Sequence, residues 1–153
     1  MPEAPARAQP RVILAFDFGS RRIGIACGDT ASLSASPLKS VAPGPAGWAA
    51  TDLLVRDYRP DVLVVGLPYN ADGSESESAV RARGFAAELA ERYKVTVELI
   101  DERYSSLEAQ ERLKGGRASG LRKRRVTKGD IDAGAACVIL ERWLGERWLG
   151  KKT

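Results

Sequence analysis

Apolar residues bunch into short runs along the first two thirds of the chain. Residues 11–18, RVILAFDF, are apolar apart from the leading arginine and Asp17, and they predict a β-strand. Residues 22–28, RIGIACG, predict a second strand, with Gly19, Ser20 and Arg21 as the tight turn that makes the two a hairpin. A third short strand is expected near residues 37–41. Over residues 46–58 the side chains of Trp48, Leu53, Leu54 and Tyr58 fall near helical spacing, and Pro60 closes that helix. Residues 61–67, DVLVVGL, form the continuous apolar run of a buried parallel strand, and residues 68–73 read as a loop. Ser74 with Glu77 has the spacing of a capping box and predicts a long helix to about Tyr93. Residues 95–100, VTVELI, predict another strand. Ser105 with Glu108 repeats the capping spacing and opens a helix to about Lys114. A last helix starts near Thr127 or Lys128 and runs to about Trp148.

Strands separated by helices imply parallel pairing and an α/β sheet covered by helices. At 153 residues the chain is one domain. Residues 1–10 hold three prolines and three alanines and are expected to be a disordered arm, which leaves residues 11–150 for the domain. There is no domain-scale repeat. The tandem ERWLG at 141–145 and 146–150 carries no functional weight by itself.

Composition narrows the chemistry. Hydrophobic residues at 44% and charged residues at 29% fit an ordinary globular chain and exclude wholesale disorder. No stretch approaches the roughly 20 apolar residues that span a bilayer, so no membrane role is expected. The N-terminus has no apolar core of a secretory signal. Cys27 and Cys137 lie far apart and outside any CxxC pair, so they read as buried thiols of a reducing cytoplasm. The chain has no histidine. That excludes a Ser-His-Asp triad, a Cys-His pair and any imidazole-ligated metal within it. Carboxylates holding a hard cation become the leading option for catalysis.

The net charge of +4 says less than its distribution. Eight basic residues fall between Arg112 and Lys128 with no acid among them: Arg112, Lys114, Arg117, Arg122, Lys123, Arg124, Arg125 and Lys128. Like charges this dense repel unless a polyanion meets them, and glycines interleave them, so a basic loop that follows a phosphate backbone is expected. The competing reading is a solvated loop. The run has no apolar face for a membrane surface.

Three carboxylate positions stand where strands end or a helix begins. Asp17 ends an otherwise apolar strand, where an acid is costly unless solvated, paired or bound to metal. Asp101 and Glu102 stand at the C-terminal end of VTVELI, the end where ligands gather in open α/β sheets. Asp132 lies in the first turn of the final helix. If these elements converge, the acids form an oxygen site for one or two divalent ions, suited to phosphodiester hydrolysis. Each also has a structural alternative. Asp17 can begin a turn with Gly19, Asp101 can pair with Arg103, Glu102 with Arg81 or Arg83, and Asp132 can serve the helix dipole. Asp130 reads as part of a cap led by Thr127.

Four blocks, AFDFGSRRIGIACGD, VVGLPYNADGSES, DERYSSLEAQERL and KGDIDAGAACVILERWL, together resemble the YqgF/RuvX family over residues 12–144. The resemblance implies a ribonuclease-H-like fold, a mixed five-stranded sheet with helices on both faces, and kinship with Holliday-junction resolvases. It implies Asp17, Glu102 and Asp132 as catalytic and metal-binding acids for Mg²⁺ or Mn²⁺. Asp101 is the alternative to Glu102, since adjacent acids at a strand end point to opposite faces. One departure is Ala15, where the family usually has glycine. Ser105 and Ser106 stand where it often has threonines.

Arg22, in the hairpin turn past Asp17, is a candidate phosphate contact with Arg117, Arg122, Lys123, Arg124, Arg125 and Lys128. The segment from Gly66 to Gly73 precedes a helix N-terminus that can receive phosphate, but lacks the Lys-Ser/Thr of a Walker A loop. Trp143 reads as core packing. The expected function is a metal-dependent nuclease for structured nucleic acid, maturing the 5′ end of the 16S rRNA precursor or cleaving branched DNA. A homodimer suits symmetric cutting of two strands. A non-catalytic binder is the alternative from another class, disfavoured because all three acids are present. A sugar-kinase-like phosphotransferase would need a second domain.

Overall fold

The computed structural model describes residues 11–19, 21–67, 76–101 and 128–146, with the side chains of residues 128–132 excepted. Strands β1 (Val12–Phe18) and β2 (Ile23–Asp29) form the expected antiparallel hairpin. At its turn the Gly19 N–H donates to the Arg22 carbonyl at 2.9 Å. A Cβ on Gly19 would stand 2.8 Å from that same oxygen, so the turn is closed to larger residues without a shift. Strand β3 (Ser34–Val41) pairs antiparallel with β2. Helix α1 (Pro45–Tyr58) then crosses to β4 (Val62–Leu67), which lies parallel to β1. Helix α2 (Glu77–Tyr93) crosses to β5 (Thr96–Asp101), parallel to β4. The order is β3-β2-β1-β4-β5, the mixed five-stranded sheet expected. Helix α3 (Lys128–Leu144) completes the described part.

Side-chain alternation sorts the sheet into two faces. Leu14, Phe16, Ile25, Leu63 and Val65 pack against Ala82, Phe85 and Leu89 of α2 and Trp48 and Leu54 of α1. Ile13, Ala15, Val62, Val64 and Ile100 pack against Ile139, Leu140 and Trp143 of α3. Helices therefore cover both faces, which is why all six residues of β4 are buried and why its sequence is apolar throughout. On the α3 side Ala26 meets Ala136. A Cβ on Gly28 would run into the Ser34 carbonyl oxygen and lie 2.9 Å from Leu140 Cδ2. Small residues here let α3 come close to the sheet.

On the opposite face Asp52 ties α1 to α2. Arg92 donates from Nε and Nη2 to its two oxygens at 2.8 Å each, and the Tyr93 hydroxyl donates to Oδ1 at 2.6 Å. The Arg92 guanidinium also lies 4.9 Å from the Trp48 ring centre. Arg92 and Tyr93 hold the Asp52 carboxyl down to about 2, while burial and the same carboxylate push the Tyr93 phenol up.

Several boundaries differ from expectation. The N-cap of α2 is Ser76, not Ser74: Ser76 Oγ accepts from the Ala79 N–H at 3.1 Å. Ser74 itself lies outside the described residues. The segment SESES offers more than one serine as a cap, and the cap hydrogen bond falls on Ser76. Strand β3 begins at Ser34, three residues ahead of Pro37, because an edge strand tolerates a proline within it. Cys27 is half-buried rather than buried, with its thiol against the Tyr58 hydroxyl; burial pushes that thiol up. Cys137 is buried, as expected. The helix expected at 105–114 and the end of the last helix at Trp148 lie outside the described residues.

Candidate active site

Asp17 is the penultimate residue of β1, at the end where β1, β4 and β5 all finish. Its partner across β2 is Gly24. On the other side Phe16 stands opposite Val65, so the next position of β4, Gly66, flanks Asp17. Half-buried Asp17 thus stands between glycines of both neighbouring strands. Alternation from Ile13 and Ala15 puts Asp17 on the face covered by α3.

Gly66 pairs with Ile100, and Leu67 with Asp101. The end of β5 is therefore two strand spacings from Asp17, roughly 10 Å from backbone to backbone. Ile100 is buried on the α3 face, so Asp101, like Leu67, belongs to the α1/α2 face. Glu102 lies outside the described residues. Asp132 lies within α3, four residues before the Ala136 that packs with Ala26. The side chains of Asp132 and Lys128 are outside the description, as are Arg117, Arg122, Lys123, Arg124 and Arg125. Among the described residues no three of His, Cys, Asp and Glu come together. Arg22 is exposed at the hairpin turn, next to the end of β1.

Arg142, missed in the sequence, and Trp143, read there only as core, bind α3 to β5. Arg142 Nη1 donates to the Asp101 carbonyl at 2.8 Å, and Trp143 Nε1 donates to Glu98 Oε1 at 2.9 Å. Trp143 is core, as expected, but it is also tethered. The only sequence signal was an arginine beside a tryptophan in the ERWLG echo, and neither spacing nor charge says which carbonyl an arginine will find.

Three antiparallel strands, two more in parallel and helices on both faces define a ribonuclease-H-like fold, the class to which RuvC-type resolvases belong. The structure is similar to Thermus thermophilus RuvC in complex with Holliday junction substrate, with a TM-score of 0.56 at 18% identity over 89% of this chain and 95% of that one. It is also similar to the fowlpox virus resolvase in complex with Holliday junction DNA, with a TM-score of 0.52 at 10% identity over 87% of this chain and 98% of that one. At such identities the likeness is one of fold. The profile of the RuvX family, described as Holliday junction resolvase, matches residues 11–146, and the chain belongs to that family. Relatives from Xanthomonas axonopodis pv. citri (strain 306) and Xanthomonas campestris pv. campestris (strain 8004) are 46% identical over 147 residues, 94% of each chain, and bear the name "Putative pre-16S rRNA nuclease". Family and relatives agree on a nuclease, an enzyme that breaks phosphodiester bonds.

Proposed function

We propose that the chain is a divalent-metal-dependent endonuclease that matures the 5′ end of the 16S rRNA precursor, with residues 11–150 as its one catalytic domain, working in the cytoplasm. The observation that carries the site is Asp17 at the C-terminal end of β1, flanked in register by Gly24 and Gly66, on the sheet face against which α3 packs. The same helix contains Asp132. Asp101 belongs to the opposite face, which favours Glu102 as the second acid. A donor set of carboxylate oxygens, in a chain without histidine, fits Mg²⁺ or Mn²⁺. Asp17, Glu102 and Asp132 would hold it, and bound there it supplies activated water and stabilises the leaving oxygen. Arg22, with Arg117, Arg122, Lys123, Arg124, Arg125 and Lys128, holds the phosphate backbone in register without reading bases. Among the described residues no helix is long and apolar enough to cross a membrane.

The precursor-rRNA substrate is supported by the name of relatives at 46% identity. A second reading, cleavage of branched DNA by a homodimer, is favoured by fold neighbours that are resolvases in complex with Holliday junction DNA. What separates the two is whether the site reads a 2′-hydroxyl.

The test is cleavage of precursor rRNA, single strands and four-way DNA junctions with Mg²⁺ or Mn²⁺ at matched salt. Faster cutting of precursor rRNA supports the first reading, and preference for the junction supports the second. Absence of metal-dependent cleavage of every substrate overturns both. In the same assay Glu102→Gln is expected to cost more activity than Asp101→Asn, and the reverse order would transfer the second acid to Asp101.

A further inference from the structure

The α1/α2 side of the sheet holds a cavity of about 300 Å³ at the end where β1 finishes. Its lining includes Phe18 and Ile23, paired across the hairpin, Ala42 just after β3, Trp48 of α1, and Phe85 and Glu88 of α2. Well-packed interiors leave few voids larger than a water molecule, and this volume reaches the lower end of small-ligand sites. Phe85 is buried against both other rings, 4.8 Å from Phe18 and 5.5 Å from Trp48 between centres. Phe18 and Trp48 are only half-buried, and Ala42 and Glu88 are exposed, so the cavity opens to solvent. The Thr51 hydroxyl within it donates to the Gly47 carbonyl at 2.7 Å. Glu88 is the charged side chain among the described lining residues.

Phe18 follows Asp17 in β1, so the two Cα atoms stand about 3.8 Å apart and their side chains point to opposite faces. A strand that passes over the end of β1 meets both. Arg22, exposed at the turn, precedes Ile23. Arg81, also exposed, is one turn before Phe85 on the same side of α2. Helix α2 runs back along the parallel strands it joins, so Arg81 lies toward the Asp17 end of the sheet. Cations thus stand on two elements that line the cavity, where a phosphate backbone would enter.

We propose that this cavity receives one unstacked base of the bound strand, close to the bond that Asp17 addresses, with guanine preferred. Enzymes that hold an extruded base stack it on aromatic side chains and bond its Watson–Crick edge. Here Phe18 and Trp48 supply the rings. The Glu88 carboxylate supplies two acceptor oxygens, and guanine is the base that presents two neighbouring N–H donors, N1–H and the 2-amino group, on that edge. The position of the base beside the cut rests on Asp17 as a site acid, and the cavity itself does not.

The experiment measures affinity of the full chain for a single-stranded RNA with one guanine among uracils, in a chelator so that nothing is cut. Comparison strands carry hypoxanthine, which lacks the 2-amino group, or no base at that position, and free GMP is a further probe. Removing the base should weaken binding on the order of 10-fold, the usual worth of one stacked base. Hypoxanthine should fall between the two. Ala42→Leu fills the cavity from an exposed position and leaves the ring cluster in place; it should bind the guanine strand no better than the abasic one. Trp48→Leu should do the same, with its thermal midpoint recorded because it also loses the Arg92 contact. Glu88→Gln should keep the gain over the abasic strand and lose most of the preference for guanine over hypoxanthine.

Equal binding of the guanine and abasic strands by the wild type overturns the proposal, as does an undiminished guanine effect in Ala42→Leu. GMP binding as tight as the strand would assign the cavity to a free nucleotide and overturn it too. The outcomes separate from those of the nuclease reading. If Asp17→Asn stops cleavage while Ala42→Leu binds as the wild type does, only the base site falls. If Asp17→Asn cleaves normally and the base effects hold, the three-acid reading falls and the cavity stands.

Discussion

The two faces of the sheet are packed with different material. Against α1 and α2 the filling is aromatic: Phe85 lies 4.8 Å from Phe18, 5.5 Å from Trp48 and 5.7 Å from Phe16, centre to centre. Against α3 it is aliphatic with a patch of small residues, where Ala15, Ala26 and Gly28 of the sheet face Ala136, Ile139 and Leu140. Large rings bury much area and tolerate small shifts of the helices that carry them. Small residues bring a helix close to the strands, where a shift meets main chain. Asp17 sits on the close-packed face. Both faces bury large side chains; the phenylalanine cluster is confined to one, and the small residues of the other let the helix bearing Asp132 lie close to the strands.

The strongest way to break this comparison is to remove the carboxylate and spare both packings. Asp17→Asn should cut hydrolysis by several kcal/mol of barrier, about a thousandfold or more in rate, with the fold and much of the nucleic-acid binding retained. Cleavage rates on matched substrate, beside circular dichroism, check it, and wild-type turnover would end the three-acid account. A pair of core changes then separates the faces. Leu89→Ala should cost about 2–5 kcal/mol of stability in a denaturant titration and, where the protein is folded, leave turnover close to normal. Gly28→Val should cost at least as much, because its side chain meets the Ser34 carbonyl of β3 as well as Leu140, and should also lower turnover of the folded protein by moving α3. If both variants lose stability and turnover in the same proportion, the faces do not divide the work.

A third change leaves both faces alone. Replacing Arg122, Lys123, Arg124 and Arg125 with serine should weaken binding to all sequences. It should also flatten the plot of log affinity against log salt by about one unit for each phosphate no longer neutralised. Equal slopes for variant and wild type would make the run a solvated loop. The smallest effect belongs to Asp52. The Arg92 hydrogen bonds hold its folded-state pKa at about 2, below its ordinary value of 3.8, so its contribution is present above 3.8 and fades as pH falls through 2. Asp52→Asn should therefore lower the thermal midpoint at neutral pH, and the gap from wild type should close in strong acid. The pair is half-exposed, so the gap is small, and a constant gap across that range would assign it to packing instead.

The strands, both described crossover helices and the last helix could be read from apolar runs, because a sheet covered on both faces writes itself as unbroken hydrophobic sequence. Local ambiguity cost the start of α2, where Ser74 with Glu77 has the capping-box spacing but Ser76 makes the cap. The start of β3 was hidden because Pro37 reads as a boundary anywhere but at an edge. The place of Asp17 near the end of β1 was legible because the apolar run around it marks the strand. Its glycine neighbours were not, since Gly24 and Gly66 lie on two other strands and meet it only through register. The grip of Arg142 on a carbonyl 41 residues away in sequence depends on how α3 crosses the sheet, which no local pattern encodes.

Strand β3 borders the sheet, and its pairing slips between Ile25 and Ala26, just where Pro37 enters. A proline has no N–H to offer, and an irregular border does not match the even repeat of a strand from another molecule. The described border of β3 is thus a poor template for a further strand, and its irregularity works against edge-to-edge aggregation.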